Sequence, residues 1–243
     1  MKHLRTFFYA LMFVSVLSCT KSQQGGEGQV SFGVFSDNNV IDVTRSNVSD
    51  YTSLPAGGDF NISITDAASK SVWSGKVSEW DPTTNLKAGN YSVTAEYGDL
   101  ELEGFDKPYF TGTTTFAVAG GEVKAVSIPV SLGNTVVKIS CTQNFKNYYK
   151  NYTFKLTRGS SEIAVFAKGE TKAAFVDGYR FKIEGVLEGE IKTYSFEREY
   201  TSLNPATAYT FIFDVTNTGA ASISISFNNN VETVELGDIE LND

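Results

Sequence analysis

The sequence predicts an all-β protein made of two tandem antiparallel β-sandwich domains of transthyretin or immunoglobulin type, with one short helix in the second. Three observations carry this expectation. Apolar and polar residues alternate along most of the chain, turn residues punctuate the alternation at short intervals, and one device for entering a strand occurs twice. Alternation puts successive side chains on opposite faces of a sheet, one buried and one wet. Many short runs of this kind between turn signals fit sandwiches better than α/β layers.

The runs come in order. Val30, Phe32 and Val34 open the first, and Phe60, Ile62 and Ile64 the second. Tyr91, Val93, Ala95 and Tyr97 follow, then Phe116 with Val118, then Val126, Ile128 and Val130. Ala56-Gly57-Gly58-Asp59, Gly98-Asp99 and Gly120-Gly121 supply the turns. Around Ser131 to Asn134 one run closes and another opens, which predicts domains over 28–132 and 133–243. The second half repeats the habit with Val137 and Ile139, Phe154 and Leu156, Phe181 and Ile183, and Tyr194 and Phe196. Tyr209 to Val215 and Ile223 to Phe227 complete it. Phe145, Tyr148, Tyr149 and Tyr152 fall at i, i+3, i+4 and i+7, one face of a helix of about two turns crossing the end of a sheet. The repeated device is a Leu, a tight turn, then a Tyr that opens a strand: Leu86 to Tyr91, and again Leu203 to Tyr209.

The N-terminus reads differently. Lys2 and Arg5 precede a short apolar run from Thr6 to Leu17, too short for a spanning helix of about 20 residues. This is the pattern of a signal peptide over residues 1–18. Val16-Leu17-Ser18-Cys19 resembles the bacterial lipobox, with Cys19 as the lipidated residue and 19–27 as a flexible tether. The expected partner is therefore a membrane, reached through that lipid. The expected location is the cell envelope, at the outer membrane, with the face left open.

Composition excludes several functions. A net charge of −8 repels nucleic acid, so no nucleic-acid partner is expected. Cys141 has no disulfide partner once Cys19 carries lipid, and it ends an alternating run as a small core residue. His3, the sole histidine, leaves with the signal segment. Without histidine, Ser-His-Asp and Cys-His catalysis and most transition-metal sites are unavailable. Asp99, Glu101, Glu103 and Asp106 lack the spacing of a calcium loop and read as a solvated acidic stretch. No two carboxylates pair as a glycosidase requires. The expectation is no enzyme, no cofactor and no metal.

The stretch Leu86 to Gly98, then Glu103-Gly-Phe-Asp-Lys-Pro-Tyr-Phe-Thr-Gly112 and Phe116-Ala-Val118, resembles a lipoprotein domain-of-unknown-function family, numbered 4493, of Bacteroides-type bacteria. The resemblance covers most of the mature chain and extends to the segment Asn144 to Tyr152. It implies an envelope lipoprotein of tandem sandwiches, often encoded near glycan-use functions, and supplies no catalytic residue. More loosely, the plan resembles the fimbrillin proteins of the same bacteria.

Two places are candidates for ligand contact. In Gly104 to Phe110, the rings of Phe105, Tyr109 and Phe110 beside Asp106 and Lys107 fit a sugar-stacking platform, or else aromatics that plug the open end of the first sandwich. Of Trp73 and Trp80, which would lie on opposite faces of one strand, Trp80 beside the turn signal Asp81-Pro82 is the better candidate for an exposed, partner-binding indole, against a buried core tryptophan as the commoner outcome. The expected function is a non-catalytic envelope binding module with carbohydrate as leading ligand class. The alternative is a fimbrillin-like structural or anchor subunit that assembles with another envelope protein by strand complementation, through the segment before Phe60 or through Val231 to Leu241.

Overall fold

A computed structural model describes residues 25–36, 47–178, 180–201 and 203–215, with the strand backbones at 221–227 and 230–235. The expected signal segment and Cys19 lie outside the described residues. The first half contains β1 (Glu27–Ser36), β2 (Asn61–Asp66), β3 (Ser71–Lys76), β4 (Asn85–Lys87), β5 (Gly89–Tyr97), β6 (Gly104–Phe105), β7 (Phe110–Val118) and β8 (Val123–Leu132). The second contains β9 (Thr135–Cys141), α1 (Gln143–Tyr148), β10 (Asn151–Arg158), β11 (Ser161–Ala167), β12 (Ala174–Val176), β13 (Arg180–Glu188), β14 (Thr193–Thr201), β15 (Ala208–Val215), β16 (Ala221–Phe227) and β17 (Asn230–Glu235). The fold is all-β and sandwich-like, as the alternation predicts.

Strand order in the first half is β3-β2-β5-β7-β8-β1-β4. β8 turns this one ladder into two layers. It pairs with β7 only at Phe110–Leu132 and Thr111–Ser131, then runs beside β1 for eight residue pairs. Gly112 permits the crossing, because a Cβ there would stand 2.0 Å from the carbonyl oxygen of Pro129. Between the layers Val30, Phe60, Ile64, Phe110 and Ile128 are fully buried. Along β5 the alternation is literal: Tyr91, Val93 and Ala95 face this core, while Asn90, Ser92 and Thr94 face outwards.

In the second half a four-stranded sheet, β11-β10-β13-β14, faces a six-stranded one, β17-β16-β15-β9-β12-β6. Aromatic rings fill the gap. Phe154 stacks on Phe213 at 4.1 Å, and Phe181 meets Phe211 edge-on at 5.8 Å. Each such pair adds about 0.5–1.5 kcal/mol beyond its area burial. Among the described residues two pairings are parallel, β1 with β8 and β9 with β15. Period-2 alternation is blind to strand direction, so the antiparallel expectation could not have isolated these two.

Two local expectations change. The helix spans one and a half turns rather than two: Thr142 caps it by accepting the Phe145 N–H at 3.2 Å, and Tyr152 already belongs to β10. Phe145 and Tyr149 are buried as predicted, whereas Tyr148 is exposed. Cys141 is partly buried beside the second core rather than inside it. The repeated Leu–turn–Tyr device is present in both halves. The Tyr91 hydroxyl donates to the Lys87 carbonyl at 2.7 Å, and the Tyr209 hydroxyl accepts the Asn204 N–H at 3.0 Å. In each case a buried ring is tied back to the turn that precedes its strand.

The halves meet over an apolar surface. Thr135, Val136 and Val137 on β9, and Ala174, Phe175 and Val176 on β12, are all buried, with no wet face. Val136, Phe175 and Ala208 pack with the first core while Val137, Ala174 and Val176 pack with the second. Continuous apolar runs are what a strand covered on both faces requires. Polar groups trapped there are partly satisfied: the Asn134 side-chain oxygen accepts the Tyr109 N–H and the Thr135 hydroxyl donates to the Asn204 carbonyl at 2.8 Å, while the buried Asn134 Nδ2 has no partner among the described residues.

Candidate functional site

The loop from β5 to β7 holds most of the predicted contact residues. It leaves β5 at Tyr97 through a turn in which the Asp99 carboxylate accepts the Glu101 N–H at 2.9 Å. From there the chain crosses to the second half. Glu103 accepts the Asp177 N–H and the Arg158 guanidinium, both at 2.7 Å. β6 then pairs with β12, Gly104 opposite Phe175 and Phe105 opposite Ala174. Gly104 has φ +121°, and a Cβ would meet the Ile163 carbonyl oxygen at 2.8 Å, so the crossing requires glycine. The Phe105 ring lies edge-on to Phe166 at 4.9 Å. Asp106 pairs with Lys172, and the Tyr109 hydroxyl donates to Glu96 at 2.6 Å.

The predicted residues therefore separate. Phe110 is fully buried in the first core, which removes it from any surface. Phe105 is half-buried against the second core. Trp80 corrects the expectation of an exposed indole: it is 7% exposed, and its N–H donates to the Val30 carbonyl at 2.7 Å. The physical reason is a 3-10 turn at Val77–Glu79 after β3, which breaks the single-strand geometry and brings Trp73 and Trp80 edge to face at 5.1 Å. Lys107 and Asp106 remain exposed and Tyr109 is half-buried.

What the loop leaves open is a cleft of about 230 Å³ lined by Tyr97, Asp99, Leu102, Asp106, Lys107 and Pro108. Leu102 is 52% exposed at its edge. Tyr97 and Leu102 carry no signal in the sequence, since an alternating tyrosine and a loop leucine both read as core. The electrostatics follow from burial. Desolvation raises the Glu103 carboxyl above the usual range and outweighs the Asp177 amide and the Arg158 charge, which pull it down. The Tyr109 phenol is also raised, first by burial and then by its bond to Glu96. The cleft combines an apolar wall with carboxylates and an ammonium, a combination that can grip a polyhydroxyl ligand by its C–H face and its hydroxyls. Among the described residues, no three Asp, Glu, Cys or His side chains converge on a metal-sized site. No described helix is long and apolar enough to cross a membrane.

Two β-sandwiches, with a loop of the first built into a sheet of the second, define a tandem-sandwich protein. The chain belongs to the domain-of-unknown-function family DUF4493, whose model matches residues 26–243. No curated protein matches it. Among solved structures it is similar to a fimbrial assembly protein from Parabacteroides distasonis, at 6% identity and TM-score 0.50, covering 87% of this chain and 98% of that one. A candidate cell adhesion protein from Bacteroides ovatus aligns at 14% identity and TM-score 0.47, with coverage of 87% and 98%. A candidate polysaccharide-binding protein from Bacteroides thetaiotaomicron aligns at 9% identity and TM-score 0.46, with coverage of 87% and 99%.

Proposed function

We propose that this protein is a non-catalytic binding module of the cell envelope, held by a lipid on Cys19 and taking carbohydrate at the cleft beside the β5–β7 loop. The observation that carries this reading is the cleft itself: Leu102 and Tyr97 offer apolar surface next to Asp99, Asp106 and Lys107. Sugars need that mixture, and nothing in the cleft pairs a nucleophile with a base. A glycan array probed with the full chain tests it, with Leu102→Ser and Lys107→Ala beside the parent. Binding lost in both variants, with unchanged thermal melts, supports the reading. An array without signal for the parent sinks it.

A second reading, a structural subunit that assembles by strand complementation, has one observation in its favour. β17 is the edge strand of the six-stranded sheet, with β16 as its single described neighbour. The fold likeness to the fimbrial assembly protein of Parabacteroides distasonis points the same way. Against it, β1 is paired with β8 over Gln29–Ser36 and its first residues, Glu27 to Gln29, are also held by β4. Deleting residues 230–243 and measuring mass in solution separates the readings. A stable monomer that gains a partner when the free strand is added back supports assembly, and a chain that unfolds argues for β17 as an ordinary core strand.

A further inference from the structure

A second cleft lies beside the open edge of β9. The chain enters the first half where Gln29 pairs with Val123 at the start of β8, and β8 carries it to Leu132 beside Phe110 at the junction. At about 3.3 Å per residue, a strand of this length covers roughly 30 Å. β9 continues from the junction to Cys141, away from the point of entry. β12 pairs with β9 only from Thr135 to Val137. On that side the edge of β9 from Lys138 to Cys141 has no strand partner among the described residues, and a cleft of about 180 Å³ opens there.

The lining is specific. Phe154 and Phe166, both buried in the second core, lie beneath the cleft, and the Cys141 thiol and Tyr152 hydroxyl hydrogen-bond to each other at its side. Lys138 and Lys146 stand at the cleft without an ion pair among the described residues, although the chain as a whole is acidic. The ammonium of Lys168 lies 5.9 Å from the Tyr152 ring centre and donates to the Lys150 carbonyl. One carboxylate is present, and it is engaged: Glu170 accepts the Thr171 and Lys172 amides at 2.7 Å each. Burial pushes the thiol up to about 11 and the phenol up to about 12, so both stay neutral donors that do not oppose an anion.

We propose that this cleft binds a single acidic sugar residue, its carboxylate or sulfate between Lys138 and Lys146 and its ring against the open edge of β9. Unpaired backbone groups along 138–141 supply hydrogen bonds for hydroxyls, as buried polar edges require. Two lysines lining one cleft favour an anionic ring over a neutral one. The site shares no residue with the cleft at 97–108, and the two stand or fall separately.

The test follows alkylation of Cys141 in the full chain by iodoacetamide, read by peptide mass spectrometry, with glucuronate, glucose 6-sulfate, glucose or inorganic sulfate present. Glucuronate or glucose 6-sulfate is expected to slow labelling in a saturable way, and glucose and sulfate are not. Lys138→Gln and Lys146→Gln each weaken that protection roughly tenfold, as loss of a charge-assisted hydrogen bond predicts. Lys146→Arg retains it, with melts confirming that all three variants fold. No protection by either acidic sugar, equal protection by glucose, or equal protection by inorganic sulfate overturns the proposal. The Lys107→Ala variant leaves this protection unchanged, which separates its failure from failure of the other cleft.

Discussion

Phe105→Ala tests whether the β5–β7 loop is a clasp between the halves or a ligand platform. We propose that the sandwiches over 28–132 and 133–243 unfold together because this loop ties them. Phe105 is half-buried, so it retains about half of the ~1.5–3 kcal/mol available to a buried phenylalanine. Its edge contact with Phe166 adds about 1 kcal/mol. The substitution should therefore destabilise the chain by about 2 kcal/mol. The assay exploits the placement of both tryptophans, Trp73 and Trp80, in the first half. Urea unfolding followed by indole fluorescence reports that half alone, while far-ultraviolet dichroism reports both. In the parent the two traces coincide; in Phe105→Ala they separate, the second half melting first. Superimposed traces at the parent midpoint would refute the clasp. Glycan binding lost without any change in stability would instead restore the loop as a platform.

Three further outcomes follow from the same coordinates. Trp80→Phe removes the indole donor to Val30 inside the first core and should cost about 1–2 kcal/mol in urea, whereas an unchanged midpoint would mean the hydrogen bond contributes nothing. Glu103 has a raised carboxyl, so the folded chain holds that proton more tightly than the unfolded chain, whose ordinary value is 4.5. Its contribution is therefore full below that value and lost as pH rises through the folded value; the stability difference between parent and Glu103→Gln should fall across this window, and a flat or rising difference contradicts the assignment. Cys141 alkylation in the ligand-free chain should keep accelerating up to a pH of about 11, and a plateau near the ordinary thiol value would place the sulfur in water instead.

Much of the fold was legible because alternation is local. Phe60, Ile62 and Ile64, or Tyr91, Val93 and Ala95, declare a buried face by spacing alone, and their burial follows it. The paired Leu–turn–Tyr segments were also readable, since the hydroxyl bond that ties each Tyr to its turn spans only four or five residues. The candidate site was much less so. Trp80 beside Asp81-Pro82 carries every mark of an exposed loop ring, yet a short 3-10 turn swings it under Val30, fifty residues distant in sequence. Phe105 and Phe110 sit in one short loop and are sent into two different cores.

The sequence by itself determined that this is an all-β chain of many half-buried strands and where its turns fall. Those properties depend on residue type and near-neighbour spacing. Tertiary structure alone decided that β1 and β8 run parallel, that β12 stops short and leaves the edge of β9 open, and that Glu103 meets Arg158 across the junction. Each of these joins residues far apart in the chain. Which strand edge is covered, and which charge is neutralised, is set by the packing of whole sheets, and local pattern contains no record of it.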